Sequence, residues 1–425
     1  MAAQPPAPGS WSALRKSYIM AMVMIVAFIS YVDRQIVTIL IQSIKEDLSL
    51  SDTQIGLLTG VFFSVLYVIA GIPLARISDR GNRRTLISLC VAFWSAMTMF
   101  CGIATSYVQL AFGRMMVAVG EAGSAPASYS LLADLFPPQR RTRIFALMSC
   151  GSAFGIAFGV YLGGTLNEVL GWRTTFLVVG APGLVIGLLF WLTVPEPARP
   201  ARATDAPPIQ GLFRTLLSFL DLTTYRALIA IALFASIAAF AMLSWMPAFL
   251  IRVHGMSSGE VGLKMGTALA LGLLLGNICC GTIADKMGGR DVRWLIWTAG
   301  YGLLACVPTG LLSLFWPDAL GSVIWFGAFT FFLGFWAPPV ITVVVGLVHD
   351  QSRALAAATI PIFQSIGGAI GPLFVGMVSD ALTPTEGVEG IRYAMAASLG
   401  CCVLAGVGAL FTGRWLRLEY RAAPG

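Results

Sequence analysis

The chain has 425 residues, of which 57% are hydrophobic and only 11% charged, with a formal net charge of +7 and a mean hydropathy of +0.82. So few charges cannot cover the surface of a soluble domain this long, and the sequence reads as an integral membrane protein. The basic excess does not point to nucleic acid, because the Lys and Arg residues fall in short runs between apolar segments instead of clustering on one face.

Residues 1–17 read as a cytoplasmic tail rich in Pro and Ala. The first apolar run, residues 18–40, is too long and too charged for a signal-peptide core and is expected to remain as a spanning helix. It is interrupted by Tyr31-Val32-Asp33-Arg34-Gln35. An ionised Asp33 inside the bilayer costs at least about 2.5 kcal/mol, so it needs a partner or a proton. The alternative is a fixed lock between helices. Further spanning runs near residues 55–77, 85–106, 110–136, 144–166 and 172–194 complete a first bundle over residues 18–194. Residues 195–226, with five prolines and an amphipathic piece at 212–220, read as a cytoplasmic linker ending in an interfacial helix. Six more runs, near 227–251, 261–283, 294–315, 319–348, 355–380 and 393–411, form a second bundle over residues 227–413, followed by a cytoplasmic tail at 414–425. Most Lys and Arg fall in the segments that are cytoplasmic if the N-terminus is, and this places both termini inside. The fold expected is an all-α membrane protein of twelve transmembrane helices in two pseudo-symmetric six-helix bundles.

An internal repeat supports that division. The segment from Ser51 to Gly60 matches the one from Ser257 to Gly266 at an offset of 206 residues (51 to 257), each opening with a capping-box pattern. The same offset carries Asp79-Arg80 and Arg84 onto Asp285-Lys286 and Arg290. An acid at a helix end beside bases can hold the cytoplasmic side shut until the halves rock apart. The gate candidates are therefore Asp79, Arg80, Arg83, Arg84, Asp134, Asp285, Lys286 and Arg290. A role as positive-inside anchors explains the bases but not the matched acids. Residues 71–84 and 281–290 resemble the cytoplasmic loop signature of the major facilitator superfamily.

On the fourth run Arg114 and Glu121 are seven residues apart, two helical turns, and share a face. Asp33 with Arg114 is the expected ion pair, with Glu121 deeper in the membrane. Proton coupling is assigned to Asp33, Arg34, Arg114 and Glu121, with fixed structural bridging as the alternative. Gly151, Gly155, Gly159 and Gly163, and in the second half Gly367 and Gly371, offer small faces for close helix packing. No Asp, Glu, Lys or Arg lies deep in a span of the second half, which instead offers aromatics and amides. Tyr31, Trp245, Asn277, Phe332, Trp336 and Gln364 are candidates for the substrate cavity, although an aromatic stripe also packs as plain core. A charged half opposite an apolar half suits an amphipathic solute.

Tyr31-Val32-Asp33-Arg34, Ser78-Asp79-Arg80-Gly81-Asn82-Arg83, Gly120-Glu121-Ala122, Ala133-Asp134-Leu135-Phe136-Pro137 and Pro182-Gly183-Leu184 together resemble the Spinster branch of that superfamily. The resemblance implies transport of lysophospholipid- or sphingolipid-like molecules, with the acid of the first helix and the Arg and Glu of the fourth in the coupling site. An Asp-Arg on the first helix and a Gly-Glu-Ala on the fourth also resemble the anion:cation symporter branch, so small organic anions stay open as the solute. The expected function is a proton-coupled, rocker-switch secondary transporter of the inner (plasma) membrane, a monomer exporting its solute, with the proton as coupling ion and no other cofactor. Catalysis is not expected, since His254 and His349 lie at opposite membrane faces and no nucleophile or phosphate-loop pattern occurs. The eight cysteines lie in apolar runs without metal-binding spacing and are expected to pack.

Overall fold

The computed structural model describes the backbone of residues 11–136, 138–197, 218–348 and 353–422. All regular structure among them is helical: α1 Ala13–Leu48, α2 Asp52–Gly56 continuing through a π-helical turn Leu57–Val61 into α3 Phe62–Arg80, α4 Arg83–Ile103, α5 Tyr107–Leu135, α6 Pro138–Thr193, α7 Thr223–His254, α8 Ser258–Gly288, α9 Arg293–Phe315, α10 Ala319–Leu333, α11 Ala337–Gly346, α12 Arg353–Glu386, α13 Gly390–Ser398 and α14 Gly400–Ala422. Nine stretches among the described residues are long and apolar enough to cross a membrane, two of them of 40 and 61 residues.

Local chemistry sets several of the boundaries. Ser12 caps α1 by accepting from the Arg15 N–H, and the helix ends at Ser49 in the left-handed region, φ 52°. Both expected capping boxes close: Ser51 with Gln54 ahead of α2, and Ser257 with Glu260 ahead of α8. Other boundaries differ from the apolar runs. The fifth and sixth runs remain two helices, lengthened to 138–170 and 172–193 and together labelled α6, and Gly171 separates them with φ 76° and ψ 165°, a conformation that costs glycine no Cβ clash. The run at 319–348 breaks after Leu333, because Pro338 and Pro339 cannot continue a helix but can start one, and α11 begins there. The amphipathic piece at 212–220 lies almost wholly outside the described residues.

The chain forms two compact units. One comprises the described residues up to Leu50, those from Phe62 to Pro197, and Ser257–Gly266; the other comprises Ser51–Val61, residues 218–256 and the described residues from Thr267 on. In the first unit α1 packs along α6 through the expected glycines. A Cβ added at Gly151, Gly155 or Gly159 would lie 3.0 Å from the Met24 carbonyl oxygen, 2.5 Å from that of Phe28 and 2.9 Å from the Val32 Cα, so only glycine permits this approach. The repeated segment packs by the same device in each unit. A Cβ at Gly60 would meet the Ala369 carbonyl oxygen of α12 at 2.7 Å, and one at the corresponding Gly266 would meet that of Ala157 in α6 at 3.1 Å. In the second unit Phe326, Phe329 and Trp245 are fully buried, and Phe331, Phe332 and Phe335 pack with ring centroids 5.1–5.9 Å apart.

Candidate functional site

The site is built on α1. Asp33 and Arg34 are consecutive, so their side chains leave the helix about 100° apart, and different neighbours take them. Asp33 is 2% exposed, and its Oδ2 accepts from Thr98 Oγ1 of α4 at 2.7 Å. Arg34 turns to α5, where its Nε donates to Glu121 Oε2 at 2.5 Å. The same oxygen accepts from Ser30 Oγ, one turn earlier on α1, at 3.1 Å. Arg114, 3% exposed, makes no ion pair with Asp33 among the described residues. The expected Asp33–Arg114 pair is thus corrected to Arg34–Glu121. The reason is the rotation of α1, which aims Arg34 at α5 and Asp33 at α4.

Aromatic rings complete the geometry. Phe63 and Tyr67, one turn apart on α3, stack at 5.9 Å and 17°. The Arg34 guanidinium carbon lies 5.2, 5.0 and 4.7 Å from the ring centroids of Tyr31, Phe63 and Tyr67, all within cation–π range. That of Arg114 lies 5.3 Å from Phe63, so one ring is within reach of both cations. A cavity of about 70 Å³ opens beside Arg34, bordered by Ser30, Tyr31, Tyr67, Glu121 and Ser124. Ligand-holding cavities run to roughly 300–1,000 Å³, so with Arg34 in place this one admits a head group and not a whole amphipath.

Buried polar atoms without partners concentrate here. Asp33 Oδ1, Glu121 Oε1 and the Nε and Nη1 of Arg114 have none. Leaving such an atom unmet costs about 1–3 kcal/mol. Two acceptors and two donors spread over neighbouring turns of α1 and α5 form a set that a proton, water or a polar solute group can satisfy.

A second cluster sits where α4 begins. Arg83 is 1% exposed; its Nε donates to Glu196 Oε1 at 2.8 Å, and its Nη1 donates to the Ser130 carbonyl at 3.1 Å and to Asp134. Glu196 Oε2 in turn accepts from the Arg84 N–H at 2.9 Å, placing a carboxylate at the positive end of α4. Of the other gate candidates, Lys286 and Arg290 are exposed, while the side chains of Asp79, Arg80 and Asp285 lie outside the described ones. In the turn ahead of α9 it is Asp291 that pairs with Arg293, at 2.6 Å, and this hydrogen bond holds its carboxyl below the usual carboxylate range.

The second-half cavity candidates separate. Trp245 is fully buried, its indole donating to the Pro372 carbonyl at 3.0 Å, and Trp336 is buried at 6% exposure. Phe332 and Gln364 are half-buried, and Asn277 is exposed with its amide turned back on the Leu273 carbonyl. Tyr31 alone of those candidates borders the cavity described above. Sequence reasoning did not single out Ser30, Phe63, Tyr67, Thr98 or Glu196. The four-residue spacing of Phe63 and Tyr67 puts both rings on one face, but a lipid-facing pair reads the same. It also missed a buried cluster in the second unit: Asp52 accepts from Arg252 at 2.8 Å and from Ser379 at 2.7 Å, and Asp380 accepts from the Asp52 and Thr53 N–H groups. No group of three or more His, Cys, Asp or Glu side chains able to hold a metal occurs among the described residues.

This helical fold with a buried ionic site matches one family model. Residues 23–372 fit the Major Facilitator Superfamily, and the chain belongs to that family of membrane transporters, which are not enzymes. It is 35% identical to an MFS-type efflux pump of Mycolicibacterium smegmatis over 90% of this chain and 89% of that one. It is 26% identical to a probable galactarate/D-glucarate transporter of Bacillus subtilis over 86% of each. Among solved structures, a bacterial homologue of the human lysosomal transporter Spinster, in an inward-facing and unoccupied conformation, superposes with a TM-score of 0.87 at 30% identity, covering 98% of this chain and all of that one.

Proposed function

We propose that the protein is a proton-coupled exporter of an amphipathic or lipid-like solute, working by alternating access in the inner membrane. The observation that carries this reading is the set of partnerless polar atoms on Asp33, Glu121 and Arg114, each at most 3% exposed. A carboxylate so placed is tolerated while cations stand near it, and protonating it frees a guanidinium for another anion or releases a bound cation. Proton and solute then compete for one charge-balanced site, which is what coupling requires. The efflux pump among the relatives supports export, and the lipid-like solute is what the resemblance to the Spinster branch implies. We read twelve membrane passes with both termini cytoplasmic: the nine apolar stretches give eleven, since those of 40 and 61 residues are each long enough to cross twice, and α5, 29 residues long, gives the twelfth. Asp33→Asn is the test: the amide keeps the shape and can still accept from Thr98, but its charge cannot cycle. Proteoliposome flux of lysolipid under an imposed pH gradient is expected to be lost while the protein stays folded; undiminished gradient-driven flux would refute the assignment.

The sugar-acid transporter favours a second reading, symport of small organic anions. A thermal-shift screen of the purified protein separates the two: stabilisation by lysolipids supports the first, and stabilisation by aldarates and not by lysolipids supports the second.

A further inference from the structure

Three aromatic rings and a buried carboxylate around one point are the recognition chemistry of an alkylammonium group. In this structure the point is held by the protein's own Arg34, whose guanidinium lies 4.7–5.2 Å from Tyr31, Phe63 and Tyr67 and against Glu121. We propose that this cage is the head-group site for a cationic, ammonium-bearing amphipath, and that Arg34 occupies it as a tethered surrogate which the solute displaces. The inference rests on the reading of the protein as an amphipath transporter and names the head group.

Charge balance favours a cation over an anion. Glu121 is 1% exposed and one of its oxygens already lacks a partner, so it cannot be left without a positive charge. An ammonium group entering as Arg34 leaves keeps that carboxylate paired throughout. An anionic head group drawn to Arg34 would strip Glu121 of its cation and leave it buried and bare. The second cation of the site, Arg114, does not border the cavity, so an arriving anion does not meet it first. The Arg34 side chain is 26% exposed and long, so it can swing out, and its departure enlarges a cavity of only about 70 Å³.

The test uses full-length protein in nanodiscs at one fixed pH. The probes are lysophosphatidylcholine and lysophosphatidylglycerol of equal chain length, which differ in the quaternary ammonium, and decyltrimethylammonium, which has the ammonium without a phosphate. Wild type is expected to bind both ammonium probes more tightly than the glycerol-headed one. Arg34→Gln is expected to strengthen ammonium binding by about tenfold, the gain from removing a surrogate that fills the site most of the time, with no gain for the glycerol head. Tyr67→Leu is expected to weaken ammonium binding several-fold, and Tyr67→Phe, which keeps the ring, to restore it. Ammonium binding weakened by Arg34→Gln overturns the proposal. So does equal binding of the two lysolipids that decyltrimethylammonium fails to displace, although that outcome leaves the amphipath reading standing. Binding of decyltrimethylammonium alone, with the Arg34→Gln gain, supports the cage and instead removes lysolipids as the solute.

Discussion

At the scale of single residues, one peptide bond separates two roles. Asp33 takes a hydroxyl donor from α4 and keeps one oxygen unpartnered, whereas Arg34 takes the carboxylate of α5 and three rings. If proton and solute share the site, the apparent affinity for an ammonium-headed amphipath rises with pH, because acid protonates the carboxylates that hold the cation. One coupled proton limits the slope to about tenfold per pH unit. Isothermal titration across pH is expected to show this slope in wild type and most of it lost in Asp33→Asn. A variant that keeps the wild-type profile moves the coupled proton to Glu121. Arg114→Ala leaves Arg34 as the sole guanidinium beside two buried carboxylates, and transport is expected to fall at every pH with the fold retained, as checked by flux against circular dichroism.

At the scale of elements, close approach and caps fix where helices lie. The added Cβ of Gly155→Val would fall 2.5 Å from a backbone oxygen of α1, where neither helix can yield without moving the other. Overpacking of this kind costs about 1–3 kcal/mol, and the variant is expected to melt lower than wild type in detergent. It also shifts α1, which carries Ser30, Asp33 and Arg34, so ligand binding is expected to weaken with stability. The cap on α4 allows a different check. Arg83 is buried with Asp134 and Glu196 as partners, and removing one partner of a buried charge costs about 3–5 kcal/mol at full burial. The two acids are themselves 26% and 19% exposed, so Glu196→Gln is expected to lose less than that. Because Asp134 remains beside Arg83, the double variant with Asp134→Asn is expected to lose more than the sum of the single losses, read from thermal unfolding as a double-mutant cycle.

At the scale of the whole molecule, neither unit is a contiguous half of the chain. Ser257–Gly266 belongs with the first unit, where Glu168 accepts from the Ser257 hydroxyl at 3.0 Å and the Gly259 N–H at 2.8 Å. Ser51–Val61 belongs with the second, held by Asp380 and Arg252. A chain cut between residues 198 and 217 is therefore expected to give two pieces that are each unstable alone and that co-purify when expressed together. Recovery of a stable, folded N-terminal piece by itself would show that the short segment contributes little. Fusing Ser257–Gly266 to that piece tests the same point from the other side.

The membrane class and the repeated capping boxes were legible in the sequence, because they depend on composition, spacing and local hydrogen bonds. The small faces of α6 were legible for the same reason: a four-residue glycine spacing defines one side of a helix whatever packs on it. The four ionisable residues of the site could be named, since a charge in an apolar run stands out against its neighbours. Their pairing could not. Asp33 and Arg34 differ by a rotation of about 100°, and only the packing of α1 against α4 and α5 decides which of them meets Glu121. The tertiary structure likewise brought Phe63, Tyr67 and Glu196 to charges far away in the chain, and it assigned the two repeated segments to units outside their own halves. Long-range contacts of this kind leave no periodic trace in a sequence, because each depends on how separate helices rotate and pack together.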